Sequence, residues 1–171
     1  MPAQPESEEK RAIRRALGAA MFEFIQTIVE KHLDDEDEVM RQVATEKYRQ
    51  AVFQAAEQGI EVSLAWHTLG TWLEEGKERI GAFSRAIECL HAEEITNPPG
   101  KLDEPWGPTH TEADCLYEIG RVHFYEGAPD AAREFLAEAL PLAQKAELLR
   151  QPGLHVEDGL EGKIATLLIQ L

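Results

Sequence analysis

Along most of this chain apolar residues recur at spacings of three and four, and no segment alternates with period two. That periodicity predicts helices and no strands, an all-α fold. From about Glu8 to Leu33, the residues Ile13, Leu17, Met21, Phe24 and Ile28 draw one stripe down a long first helix. On its exposed side Glu6 can pair with Lys10 and Glu8 with Arg11. A second helix is expected over about Glu38–Gln58, with Val39, Val43, Ala51, Val52 and Ala55 inward and Gly59 as its stop. A third is expected over about Ile60–Glu75, burying Leu64, Ala65, Leu69 and Leu73 beside Trp66 and Trp72, with Gly76 breaking it. Ile80, Phe83, Ile87 and Leu90 place a fourth from Lys77 to about Glu94.

The periodicity then stops. Residues 96–109 carry four prolines and two glycines and read as one long Pro-rich loop with Trp106 near its end. Loops of this length in compact domains serve a function or are disordered, and a large indole argues for a role: packing onto the neighbouring helices or contacting a partner. Thr111 with Asp114 resembles a capping box that starts a fifth helix, running to about Glu126. Pro129 suits the first turn of a sixth helix, which extends to about Arg150 through Phe135, Leu136, Leu140, Leu142 and Leu149 and should bend at Pro141. Val156, Leu160, Ile164, Leu167 and Leu168 define a last amphipathic helix. Residues 1–7 read as a flexible tail, and 8–171 as a single domain.

Charge narrows the partner. With 17 Lys and Arg against 32 Asp and Glu, the formal net charge is -15. Such a surplus repels phosphate backbones and anionic headgroups, which argues against nucleic acid and membrane surfaces and for a neutral or basic protein or peptide. The apolar-looking stretch Ala16–Val29 is interrupted by Glu23 and Gln26 and lacks a cleavage site, so neither a signal peptide nor a membrane span is expected and the location is read as cytoplasmic. Cys89 and Cys115 each fall inside a helical pattern, where a reduced thiol acts as a small hydrophobe. The acidic run Asp34–Glu38 reads as a turn and a helix start, since it lacks the glycine and distal glutamate of a calcium loop. His91-Ala92-Glu93 resembles the His-x-Glu of zinc deaminases, but no Pro-Cys-x-x-Cys follows it. With no His-Glu-x-x-His, phosphate loop or Gly-x-Ser-x-Gly either, no enzyme, metal or cofactor is expected.

A repeat emerges when helices are compared. Leu69-Gly70 and Ile119-Gly120 sit 50 positions apart in the third and fifth helices, and Leu17-Gly18 precedes Leu69 by 52. Trp66, Leu69, Gly70 and Leu73 fit W-x₂-L-G-x₂-Y with Leu for Tyr. Leu116, Ile119, Gly120 and His123 fit it more loosely, followed at the right spacing by Ala132, Leu136 and Ala139. On these residues the chain resembles the tetratricopeptide-repeat family, most closely over Leu116–Leu140, less over Leu64–Leu90, and slightly before residue 60. On the fourth helix the ungapped register, with Ala82, Ala86 and Cys89 at the matched positions, is preferred to a three-residue deletion that would use Arg79, Phe83 and Ala86. The resemblance implies a degenerate TPR-like superhelix of about three hairpins with a C-terminal capping helix.

It also implies a concave groove lined by the first helix of each hairpin, which binds a peptide or helix of a partner protein. Carried over by the motif, that face holds Asp114, Tyr117, Arg121, Phe124 and Tyr125 on the fifth helix and His67, Thr71, Glu74 and Glu75 on the third. Tyr, Phe and Arg together have the composition of an interface hot spot, although Phe124 and a tyrosine could equally pack on the neighbouring hairpin. Trp106 is the further candidate contact. A second reading, an acidic stoichiometric inhibitor, immunity protein or chaperone of a basic protein, follows from the charge. A third is homodimerisation through exposed hairpin faces.

Overall fold

A computed structural model describes residues 5–30, 38–96, 106–149 and 159–171. They form seven helices and no strand: α1 (Glu8–Glu30), α2 (Glu38–Glu57), α3 (Ser63–Trp72), α4 (Gly76–Thr96), α5 (Trp106–Tyr125), α6 (Pro129–Leu149) and α7 (Leu160–Gln170). Each helix packs on the next in chain order, and α5 also reaches α7. The fold is all-α. Among the described residues no helix is long and apolar enough to cross a membrane.

The core has two centres. One runs through α1–α4 and takes in Cys115 and Ile119 of α5; the other lies among α5, α6 and α7 around Leu136, Ala139 and Ile164. Tyr48 organises the first, stacking on Phe24 with ring centroids 4.8 Å apart and donating its hydroxyl to the Ala65 carbonyl at 2.9 Å. That placement corrects the inward face expected for α2. Val39 and Val43 are 68% and 64% exposed, because the face carrying Ala44, Tyr48, Val52 and Ala55 turns inward instead. Leu64, also expected inside, is 52% exposed, while Ala65, Trp66 and Leu69 are buried as expected.

Three boundaries also differ from expectation. α3 is shorter at both ends than Ile60–Glu75. The Glu93 carboxylate of α4 accepts from the Ser63 N–H at 2.9 Å and the Ser63 hydroxyl at 2.8 Å, so its first turn is capped from 30 residues away. At its other end Leu73 leaves the helix in an extended conformation, and Gly76 opens α4 rather than closing α3. There the chain passes so close to α5 that a Cβ added at Gly76 would lie 2.9 Å from Val122 Cγ1 and would also displace the carboxylate of Glu126, in the turn after that helix.

The second boundary is the start of α5. It begins at Trp106, so the Pro-rich loop does not extend to 109; Pro108 falls in the first helical turn, where a missing N–H costs nothing. Thr111 lies inside this helix and returns its hydroxyl to the Gly107 carbonyl at 2.8 Å, so it is not the cap. Residues 97–105 and the Trp106 side chain lie outside the described residues, and Thr96 ends α4. Third, α7 starts at Leu160, and Val156 lies outside the described residues.

Other expectations hold in their outline. Gly59, at φ +72, ends α2 in a tight turn that returns the Ile60 N–H to the Ala55 carbonyl at 2.9 Å. α6 continues through Pro141. Both cysteines are free and buried. Burial, and the acidic residues around it, push the Cys89 thiol up to about 11, and burial pushes Cys115 up further. At the N-terminus Glu8 pairs with Arg11 as expected, whereas Glu6 reaches past Lys10 to Arg14 at 2.7 Å. Of the acidic run only Glu38 is described, as the first residue of α2.

Candidate interaction face

Two glycines set how closely the helices of the middle and last hairpins approach. A Cβ added at Gly120 would lie 2.8 Å from Leu136 Cγ, and one at Gly70 would lie 3.0 Å from the Phe83 ring. Leu136 and Phe83 are both fully buried, each filling the notch that a glycine leaves. Phe83 therefore occupies in the middle hairpin the place of Leu136 in the last. The ungapped register is thereby corrected: three residues are missing between Gly70 and its partner because α3 ends two residues after Gly70, whereas α5 runs five residues past Gly120. Gly18 has nothing within 4 Å, so the Leu17-Gly18 pair marks no close approach.

Phe83 also meets the ring of His67 edge-on, with centroids 5.8 Å apart. His67 Nε2 lies 2.7 Å from Asp114 Oδ2, which ties α3 to α5. An ionised carboxylate only accepts, so in that state of Asp114 the proton sits on Nε2. One turn along α5, Glu118 receives Arg79 from α4 and Arg121 from its own helix, both at 2.9 Å. Burial raises the Glu118 carboxyl above its usual range, with Arg121 and then Arg79 opposing it and Asp114 adding to it. Arg121 also lies over the Tyr117 ring, 6.0 Å from its centroid.

Of the expected site residues, His67, Asp114, Tyr117 and Arg121 are thus drawn into one cluster. Tyr117 is only 8% exposed and belongs to the core formed with α6 and α7, so it supports the face rather than presenting itself on it. Burial raises its hydroxyl pKa, with Arg121 opposing. Phe124 is half-buried against the same core and meets Tyr125 edge-on at 5.3 Å, while Tyr125 is 75% exposed. Thr71 is exposed and returns its hydroxyl to the His67 carbonyl at 3.0 Å. Glu74 and Glu75 lie in the turn after α3, both exposed. Trp106 begins α5, four residues before His110 and two turns from Asp114.

Sequence reasoning missed Glu118 and Arg79, the charges at the centre of the cluster. Glu118 and Arg121 form an i,i+3 pair that a helix reading could have flagged. Arg79 lies 39 positions away on another helix, and no local pattern points to it. Beside this cluster, an open cleft of about 130 Å³ lies between α2 and the α3–α4 turn, lined by residues that include Arg41, Arg49, Trp72, Glu74 and Glu78. Among the described residues no group of three or more His, Cys, Asp or Glu is placed to hold a metal ion. Compared with protein-family models, with curated proteins and with solved structures, the chain matches none.

Proposed function

We infer that this protein is a non-enzymatic interaction module, a degenerate tetratricopeptide-like array whose α3–α5 face binds a peptide or helix of a partner protein. The observation that carries the reading is the matched pair of crossings, Gly70 under Phe83 and Gly120 under Leu136. The His67–Asp114 contact, which links α3 to α5 across the two hairpins, supports reading the two helices as one face. The exposed groups on that face are Thr71, Glu74 and Tyr125, with Arg121 and Phe124 half-buried among them. An exposed tyrosine beside a guanidinium offers contact area with little entropy to lose. The face is charged and open, and the partner fits as a polypeptide rather than as a small apolar ligand.

The test is capture of partners from the native host with the unaltered protein and with an Arg121→Ala, Tyr125→Ala variant. Tyr125 is exposed, and removal of the half-buried Arg121 leaves Glu118 still paired with Arg79. A polypeptide retained by the first and lost by the second, at equal thermal stability, supports the reading; identical captured sets refute it. The net charge of -15 favours the related reading of an acidic inhibitor or chaperone of a basic protein. That reading requires association to slow as ionic strength rises, and a salt-independent rate excludes it.

A further inference from the structure

Arg49 lines the cleft between α2 and the α3–α4 turn, and its guanidinium is held by a ring outside the lining and by carboxylates within it. Arg49 of α2 lies over the Phe53 ring at 5.0 Å and pairs with Glu78 at 2.9 Å and Glu46 at 3.8 Å. Arg41, at the other end, is neutralised by Glu38 one turn before it. Those pairings leave one wall unmatched. Trp72 lines the cleft, half-buried, with its indole fixed edge-on against Phe24 at 6.1 Å. Glu74, two residues on, also lines it and has no ion-pair partner among the described residues. An aromatic ring with a carboxylate beside it repeats the set that holds Arg49.

We propose that this cleft binds an arginine side chain of a partner polypeptide, its guanidinium lying on Trp72 and pairing with Glu74. A planar guanidinium suits the site better than an ammonium, because it can stack on an indole while its N–H groups meet a carboxylate in the same plane. The space is adequate: the open cleft of about 130 Å³ has room for a planar group of four heavy atoms. The charge is also right. Three carboxylates, Glu46, Glu74 and Glu78, face two arginines, one of them matched by Glu38 outside the cleft, on a chain of net charge -15. The proposal deepens the interaction-module reading through Glu74, which belongs to both surfaces, and rests on that reading only for the partner being a polypeptide.

The experiment is a titration of ¹⁵N-labelled protein with the capped peptide acetyl-Gly-Arg-Gly-amide, and with the same peptide carrying citrulline or lysine in place of arginine. The expected result is a saturable shift of the Trp72 indole and of the 72–78 amides with the arginine peptide, absent with citrulline and weaker with lysine. Glu74→Gln should weaken that binding roughly threefold. Glu138→Gln, the same charge change on α6, should leave it unaltered. Shifts spread over the whole acidic surface, equal binding of lysine, or indifference to Glu74→Gln would each overturn the proposal. Because the probe needs no native partner, its failure would leave the capture experiment untouched. Success here together with failed capture would count against the α3–α5 face alone.

Discussion

His67 on α3 and Asp114 on α5 meet at 2.7 Å although 47 residues separate them, and the contact closes the seam between two hairpins. Each side chain is about three-quarters buried, so solvent screens the pair only partly. A double-mutant cycle with His67→Ala and Asp114→Ala, read by urea unfolding, should give a coupling of about 1 kcal/mol. Additive single effects would mean that the seam is held by packing alone.

Gly120 and Gly18 look alike in the sequence and differ in what surrounds them. Gly120→Ala drives a methyl into Leu136 and should destabilise the protein by about 1–2 kcal/mol, the overpacking cost less the gain in helix propensity. Gly18→Ala meets nothing within 4 Å inside α1 and should stabilise by about 0.5–1 kcal/mol. Thermal denaturation of the two variants decides the matter through the sign of each shift.

Glu118 gives the stability a pH dependence whose sign can be worked out. Burial raises its carboxyl pKa, against the pull of Arg121 and Arg79, so the folded protein holds this proton more tightly than the unfolded chain does. The resulting stabilisation is complete below about pH 4.3, the unfolded glutamate value, and is lost as pH rises through the raised folded value. Glu118→Gln mimics the protonated form. Its stability relative to the unaltered protein should therefore improve between pH 4 and pH 7, measured by urea unfolding at each; a constant difference would contradict the argument.

Cys115 is fully buried and Cys89 nearly so, and both thiols are pushed up. Neither should react with a disulfide reagent at pH 7.5 in the folded protein, and both should react in denaturant. Rapid native labelling of Cys115 would show that the seam between α4 and α5 opens.

What could be read from the sequence was what local patterns control. Gly120, Ala132, Leu136 and Ala139 lie within one hairpin, and their spacing alone implies the crossing that the structure contains. The face of α2 was not legible, because Val39 and Val43 make as good an apolar stripe as Ala44, Tyr48 and Val52. Tyr48 decides between them through Phe24 and the Ala65 carbonyl, on two other helices. The start of α3 depends on Glu93, and the charge cluster depends on Arg79, each held by contacts 30 or more residues away. The register of α4 was not legible for a related reason: the motif's spacing assumes that the first helix of a hairpin runs a further turn past its glycine, and α3 stops two residues after Gly70.

The central claim is that the α3–α5 face meets another protein. A photo-crosslinking residue placed at Tyr125, exposed on that face, tests it most directly when compared with the same residue at Glu138, exposed on α6. Irradiation in the native host should yield a discrete crosslinked polypeptide from position 125 and none from 138. Crosslinks from 138 with none from 125 would contradict the account.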